Sequence, residues 1–389
     1  MTTQPTKLET QLSSSVIRHT RDLVQGKYTM FTHKLLPKLS HEINNLKNAG
    51  VDIGSESLKI TRQALSRSLD LAVDLLPEPK PGFEGSIDNI WTAYAFGATG
   101  IKGEKLSKQE YNALNALETA IMKNTVIRNV PQLPKIVPQL LKTLKSDSYP
   151  WTDFSMILTE DSKFQDIFLT IANSPAFNLS AKANTVEQLF LPFGKEDLKQ
   201  AVLITAITYV MEYDKGNYAK EARAKNLETA FKTAIACKTL ASDGFDIDES
   251  NAFITGLTSY VGSVTALRFM RSTDFELNTV YSAPFVARLQ QLISLMSYQI
   301  TLHWKLPKDI RTAIKEQATL GENAKLSTLG EVLFLGTRVG MAHYLNSRKK
   351  IKEAKSKVIE LVGIDRFAVC ETSFETLNKA SNYQYASAI

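Results

Sequence analysis

Cysteine and histidine are scarce in this sequence. The chain of 389 residues contains two Cys and five His. A zinc site built on cysteine needs about four ligands, and a disulfide framework needs more cysteines than two. Both kinds of protein are therefore disfavoured. The two cysteines, Cys237 and Cys370, lie far apart in the chain, which is typical of unpaired thiols in a reducing compartment and predicts a cytoplasmic protein.

Long hydrophobic runs are missing as well. The N-terminus, MTTQPTKLETQLSSS, is polar and lacks the apolar segment of a signal peptide. The longest stretch without a charged residue is Ser250–Leu267, and half of it is Ser, Thr, Asn or Gly. Such a composition makes a poor membrane span, so we expect no contact with a membrane.

A strong charge of one sign is also absent, since 46 Lys and Arg face 40 Asp and Glu. The small excess is spread over both halves of the chain. One basic run stands out, between Arg348 and Lys357, and it is interrupted by Glu353 and followed by Glu360. This pattern predicts a solvated helix face. The alternative is a phosphate-binding, partner-binding or nucleic-acid-binding face, and we regard nucleic acid as the weaker hypothesis.

The hydrophobic pattern is helical almost throughout, which predicts an all-α fold. The length exceeds the usual size of one domain, about 100–200 residues. We therefore divide the chain into a helical N-terminal region of unknown role, residues 1–127, and a second multi-helix domain, residues 128–389. The segment 82–105 looks irregular. Helices are expected at 7–48, 55–76, 107–124, 138–145, 151–172, 195–213, 218–241, 248–262, 283–303, 307–318, 328–346 and 348–362.

Two segments invite a ligand-binding interpretation that the residues do not support. The glycine-rich stretch 96–105 lacks the adjacent Lys and hydroxyl residue of a phosphate-binding loop, so a loop between helices is the better interpretation. The acidic stretch 243–249 lacks the glycine and the later ligands of a calcium loop. An Asp that caps the following helix is the simpler prediction.

Four stretches carry a resemblance to a known family. They are Leu133–Val137 with Glu160–Ser162, then Ile171–Asn178, then Thr185–Leu198, and finally Gly256–Gly262 with Trp304–Pro307. In this order and spacing, residues of about 130–380 resemble the HDOD family. These bacterial signalling domains are related to HD-type metal-dependent phosphohydrolases. Residues 1–127 are not covered by the resemblance.

The resemblance also implies where metal ligands would stand in a catalytic relative. Ser259 and Tyr260 occupy the adjacent His and Asp positions, and Thr233 occupies that of an earlier His. Glu316-Gln317 replaces a His pair after Trp304–Pro307. Neutral hydroxyl groups are poor ligands for divalent metals at pH 7. The resemblance therefore implies a degenerate site with no catalytic residue, no metal and no cofactor.

Thr233, Ser259 and Tyr260 remain candidates for the floor of a vestigial pocket. They either line a site for a small ligand or a partner, or fill the former metal space and bond to the backbone. We interpret His19, His33, His41 and His343 as structural, and expect His303 to pack beside Trp304. The expected function is non-catalytic bacterial signal transduction through protein partners. The alternative is a phosphohydrolase that uses an altered metal site.

Overall fold

The part of the chain that the structure describes is almost entirely helical. The computed structural model describes residues 86–129, 133–144, 151–174, 177, 179–212, 219–318, 320 and 325–380. The helices expected at 7–48 and 55–76, with His19, His33 and His41, lie outside these residues. The prediction of an all-α fold is confirmed. None of the described helices is long and apolar enough to cross a membrane.

The described α-helices follow in chain order. They are α1 (Ile87–Ala95), α2 (Lys108–Met122), α3 (Ile136–Thr143), α4 (Trp151–Thr159), α5 (Ser162–Ala172), α6 (Lys195–Glu212), α7 (Lys220–Leu240), α8 (Glu249–Thr258), α9 (Val261–Arg271), α10 (Ala283–His303), α11 (Lys308–Ala318), α12 (Thr328–Ser347), α13 (Ala354–Val362) and α14 (Ile364–Ala380). Segments of 3-10 helix cover Val126–Asn129 and Val186–Leu189, and a π-helical turn, Ala241–Phe245, extends α7.

Two hydrophobic clusters hold these helices together. The small core is built from α3, α4, α5 and α6, with Phe154, Phe164 and Phe168 at its centre. The main core contains apolar side chains from α1 and α2 and from most of the helices after α5. Helix α7 lies inside the main core, where it packs against α8, α12 and α14. Helices α5 and α6 contribute to both clusters and so connect them.

A short parallel pairing joins distant parts of the main core. Strand β1 (Gly100–Ile101) pairs with strand β2 (Val280–Tyr281). The Tyr281 hydroxyl donates to the carbonyl of Phe96 at 2.8 Å, and both side chains are buried. The loop that follows α1 is thereby fixed to the chain just before α10.

Helix α1 corrects the expectation that segment 82–105 is irregular. Ser86 caps this helix, since its Oγ accepts from the backbone N–H of Asn89 at 3.3 Å. Gly97 follows with a φ of +83°, a left-handed conformation that ends the helix at little cost. The glycines nearby obscured a helix of nine residues.

Two other helices begin later or break earlier than expected. The single helix expected at 151–172 is two helices, because Asp161 caps α5 by accepting from the N–H of Phe164 at 3.0 Å. The helix expected at 348–362 begins only at Ala354, since Lys349 and Glu353 have positive φ values of 55° and 52°. The first part of the basic run is therefore a turn, and the expectation of one continuous helix face is wrong.

Residues on both sides of the expected boundary near 128 share the main core. Ile87, Trp91, Phe96 and Leu117 are at most 3% exposed and belong to the same cluster as the helices after α6. In the described residues, the segment before 128 therefore buries its apolar face against the later helices.

Candidate functional site

The structure brings two of the three predicted site residues together. Thr233 lies in the middle of α7, and Tyr260 lies between α8 and α9. Their hydroxyl oxygens are 3.1 Å apart, which is a hydrogen bond in which either group can be the donor. Thr233 is fully buried and Tyr260 is 3% exposed. The two hydroxyls therefore satisfy each other in the interior.

Ser259 does not join this pair. Its hydroxyl donates to the carbonyl of Gly256, one turn earlier in α8, at 2.7 Å. Its carbonyl accepts from the Ser297 hydroxyl of α10 at 2.7 Å, and Ser297 Oγ in turn accepts from the N–H of Gly262 at 2.9 Å. The role of Ser259 in the described structure is to hold the α8–α9 connection against α10.

Helix α1 covers the Thr233–Tyr260 pair, and the sequence did not reveal this contact. The Trp91 ring meets the Tyr260 ring edge-on, with 5.2 Å between ring centres. Trp91 Nε1 donates to the hydroxyl of Thr229, one turn before Thr233 in α7, at 3.0 Å. The Trp91 side chain thus packs against Tyr260, one of the residues predicted to line the bottom of a pocket.

A buried ion pair lies beside the same residues. Arg338 of α12 donates from Nη2 to Asp88 Oδ2 of α1 at 2.9 Å, and both side chains are at most 8% exposed. Asp88 lies one turn before Trp91, which contacts the Tyr260 ring. Arg338 lies two residues before Gly340, where an added Cβ would lie 2.5 Å from Thr233 Oγ1. We call Thr233, Tyr260, Asp88 and Arg338 the polar centre.

Sequence reasoning missed both members of the ion pair. Asp88 lies in the segment interpreted as irregular. The sequence could have indicated Arg338 as a buried cation, because it is the one charged residue in the apolar stretch 332–342. A cation in a helix that is buried on all sides needs a carboxylate partner.

Burial keeps the Tyr260 phenol neutral. Removal from water raises its pKa well above the ordinary value, the hydrogen bond from Thr233 lowers it, and the carboxylate of Asp88 raises it further. A phenol with a raised pKa is protonated at every physiological pH. Tyr260 therefore serves neither as a phenolate ligand nor as a general base near neutral pH.

The donor groups of the polar centre do not fit a divalent metal. They comprise two hydroxyls and one carboxylate, and that carboxylate is already paired with a guanidinium. Divalent metals prefer imidazole, carboxylate or thiolate ligands, several at a time. Among the described residues, no group of three or more His, Cys, Asp and Glu is arranged to hold a metal ion.

The other positions implied by the resemblance have structural contacts. Glu316 Oε2 accepts from the backbone N–H of Ser327 at 3.1 Å and from its hydroxyl at 2.9 Å. Gln317 Nε2 donates to the carbonyls of Ala313 and Gly330, each at 3.1 Å. Both side chains therefore tie α11 to the beginning of α12.

The described histidines differ from one another. His303 is exposed at the C-terminal end of α10, and its packing beside Trp304 stays a prediction. His343 is buried, and burial followed by the charge of Lys232 lowers its pKa to about 4. Its Nδ1 lies 3.4 Å from Lys232 Nζ and its Nε2 lies 3.2 Å from Asn378 Oδ1. A neutral ring that accepts at Nδ1 and donates from Nε2 connects α7, α12 and α14.

A pocket of about 590 Å³ lies away from the polar centre. It is lined by the N-terminal ends of α8, α11 and α12, and none of the three predicted site residues takes part. Asp248 lines it and caps α8, as the sequence predicted, by accepting from the N–H of Asn251 at 2.5 Å. The acidic stretch 243–249 thus ends in a helix cap.

The basic run is partly neutralised by acidic side chains. Arg348 Nη2 lies 2.7 Å from Glu228 Oε2, and Lys355 Nζ lies 2.9 Å from Glu371 Oε1. Lys350 Nζ lies 4.9 Å from the centre of the Tyr94 ring. These contacts reduce the net positive potential that the run presents to solvent.

Comparison with known families identifies the class of domain to which this helical architecture belongs. The family model of the HDOD domain matches residues 130–320. This segment is therefore an HDOD domain, which confirms the resemblance seen in the sequence. No curated protein matches the chain.

Several solved structures are similar to this chain. The "Putative metal-dependent phosphohydrolase" of Shewanella amazonensis SB2B is 14% identical and superposes with a TM-score of 0.51, covering 72% of this chain and 100% of its own. An HDOD domain protein of unknown function from Geobacter sulfurreducens is 13% identical, with a TM-score of 0.46 and coverage of 70% and 94%. A "Putative signal transduction protein" of Marinobacter aquaeolei VT8 is 16% identical, with a TM-score of 0.45 and coverage of 77% and 65%. At these identities, the likeness concerns the fold alone.

Proposed function

We propose that the protein is a non-catalytic signal-transduction or interaction module of a bacterial cytoplasm, built on an HDOD domain whose HD-type site is degenerate. The observation that carries the proposal is the buried hydrogen bond between the hydroxyls of Thr233 and Tyr260. These neutral groups stand where the resemblance implies metal ligands. Metal-assisted phosphoryl chemistry needs an ion that activates water and stabilises charge, and hydroxyls with ordinary or raised pKa values do not hold one.

Metal analysis of the full-length protein, purified without chelator, tests this proposal. We expect substoichiometric Mn, Fe and Zn and no hydrolysis of a generic phosphodiester such as bis-(p-nitrophenyl) phosphate. The matched control is the double variant Thr233→Val/Tyr260→Phe, which should have the same metal content and the same background rate. Stoichiometric metal together with phosphodiesterase activity that the double variant loses would establish the rival function, a phosphohydrolase with an altered metal site.

We propose protein partners rather than nucleic acid. Arg348 and Lys355 of the basic run already pair with Glu228 and Glu371, which lowers the positive charge that the run offers to phosphates. Nucleic-acid binding through Lys349 and Lys350 would weaken by about a factor of ten per phosphate contact for a tenfold rise in salt. We expect no such steep salt dependence with a short DNA duplex or a single-stranded RNA. A steep slope that decreases in Lys349→Gln/Lys350→Gln would contradict the proposal.

The buried thiols are consistent with the proposed compartment. Cys237 and Cys370 are both unpaired and buried, and burial raises the pKa of Cys370 to about 12. Thiols of this kind are inert and persist where the surroundings are reducing.

A further inference from the structure

Arg338 places a permanent positive charge inside the main core. Its Nη1 donates to the carbonyl of Phe334 at 2.9 Å and to the Thr337 hydroxyl at 3.2 Å, and the guanidinium lies 3.8 Å from the centre of the Phe334 ring. Arginine is not deprotonated in proteins. The charge must therefore be balanced by a group that is buried with it.

Asp88 is that balancing group, and it comes from outside the family match. It lies in the first turn of α1, whereas the HDOD match begins at residue 130. Arg338 lies two residues before Gly340, and the backbone of Gly340 contacts Thr233 closely enough that an added Cβ would lie 2.5 Å from Thr233 Oγ1. Trp91, one turn later in α1, contacts the Tyr260 ring. The same helix therefore provides the carboxylate of Asp88 and the aromatic ring that covers Tyr260.

We propose that Arg338 supplies, from within the chain, the positive charge that a divalent cation supplies in metal-dependent relatives, with Asp88 as its anion. The inference rests on the proposed non-catalytic function and adds the group that replaces the metal. A guanidinium at the polar centre repels a divalent ion, and it is paired with the one carboxylate of that centre. The centre is thus balanced in charge without an ion from solution.

The hydrogen bonding of this pair is incomplete. Within the part of the chain that the structure describes, Asp88 Oδ1, Arg338 Nε and the Thr92 hydroxyl are buried and have no hydrogen-bond partner. Buried ion pairs are often no more stable than apolar pairs of similar size, while the loss of one partner leaves an uncompensated charge. The two charges should therefore depend strongly on each other.

A double-mutant cycle in the full-length protein tests this dependence. The proteins are wild type, Asp88→Asn, Arg338→Met and the double variant, and the readout is the equilibrium constant for chemical unfolding. We expect each single substitution to raise this constant by about 100-fold or more, and the double variant to lie within about tenfold of wild type. A single variant that does not fold while the double variant folds also supports the proposal.

The control cycle uses a second ion pair that joins an N-terminal helix to the later helices. Arg288 Nε of α10 lies 2.9 Å from Glu118 Oε1 of α2, and these side chains are 21% and 11% exposed. Glu118→Gln and Arg288→Met should couple less strongly, because this pair is less buried. Additive effects of Asp88→Asn and Arg338→Met, or a double variant that does not fold, would overturn the proposal.

Mn²⁺ binding separates a failure of the proposed non-catalytic function from a failure of the role assigned to Arg338. Stoichiometric Mn²⁺ binding by the wild-type protein, measured by calorimetry, would overturn both the non-catalytic function and the replacement of the metal by Arg338. No Mn²⁺ binding combined with additive substitutions would overturn only the role assigned to Arg338.

Discussion

At the scale of single residues, the polar centre is explained by the cost of burying a hydroxyl group. Thr233 and Tyr260 are both removed from water, and a buried hydroxyl without a partner costs about 1–3 kcal/mol. Each side chain therefore needs the other at 3.1 Å, and the packing of Trp91 excludes solvent that could substitute for either. Such a site favours one arrangement of α7, α8 and α1.

Tyr260→Phe should destabilise the protein by about 1–2 kcal/mol, because it leaves the Thr233 hydroxyl buried without a partner. Chemical unfolding measures the loss. Thr233→Val should cost a similar amount, and the double variant should cost less than the sum of the two. A Tyr260→Phe variant as stable as wild type would show that the hydroxyl of Thr233 finds another partner.

Glu212 is a second residue whose behaviour follows from burial. Its side chain is 9% exposed at the end of α6, and neither carboxylate oxygen has a hydrogen-bond partner among the described residues. Burial raises its pKa to about 7, against a smaller opposing effect of Lys163, whose Nζ lies 3.9 Å away. The native state therefore holds this proton more tightly than the unfolded chain does.

Stability should consequently fall as the pH rises from about 4.5 to about 7. The change attributable to Glu212 is at most about 3.5 kcal/mol, at 1.4 kcal/mol per unit of pKa. In Glu212→Gln this part of the pH dependence should disappear, so the variant gains on wild type above pH 7. Glu196→Gln is the control, since Glu196 is exposed and pairs with Lys199. Parallel pH profiles for wild type and Glu212→Gln would contradict the assignment.

At the scale of elements, α7 is held by two very close helix contacts. A Cβ added at Gly340 of α12 would lie 2.5 Å from Thr233 Oγ1 and 2.8 Å from the Thr233 backbone N. A Cβ at Gly256 of α8 would lie 2.8 Å from the Ala234 Cα. Both neighbouring helices thus approach the backbone of α7 through glycine, at the turn that carries Thr233.

Gly340→Ala should therefore separate α12 from α7 and destabilise the protein by about 1–3 kcal/mol, the usual cost of overpacking. The same substitution at Gly100 is the matched control, because a Cβ there meets nothing within 4 Å. Thermal unfolding of the two variants compares them directly. Equal melting temperatures would mean that the helices move apart without cost.

The helices that the sequence predicted well are those whose ends contain capping residues or proline. The expected helix at 283–303 agrees with α10, where Ser282 caps the helix and Pro284 occupies its first turn. Helix α1 was missed because its helix-forming residues lie among glycines and its stability comes from Trp91 and Phe96 in the main core. That contribution depends on distant residues, which hydrophobic periodicity does not detect.

At the candidate site, too, the sequence predicted some residues and missed others. The resemblance located Thr233 and Tyr260, and the structure brings them together. It also included Ser259, whose contacts face α10 instead. Asp88 and Arg338 meet across 250 positions of the chain, and no spacing in one sequence reveals such a pair.

At the scale of the whole molecule, the main core joins the segment before residue 128 to the HDOD domain. A fragment of residues 128–389 should therefore expose the apolar surface that covers Trp91 and Phe96. We expect this fragment to unfold without a cooperative transition and to bind a hydrophobic dye. A fragment of residues 86–389 should unfold cooperatively. Equal cooperativity in the two fragments would support a domain boundary near 128.

The pairing of β1 with β2 also affects how the chain is made. Thr99 and Lys102 donate backbone hydrogen bonds to Thr279 and Tyr281, which leave the ribosome much later than they do. At about 5–20 residues per second, the delay is roughly ten to forty seconds. During that interval α3 to α9 are synthesised, but α10, which packs against both α1 and α2, is still missing, so part of the apolar surface of α1 and α2 is available to chaperones. We therefore expect the slowest step of productive folding to be the pairing of β1, which is synthesised early, with β2, which is synthesised late.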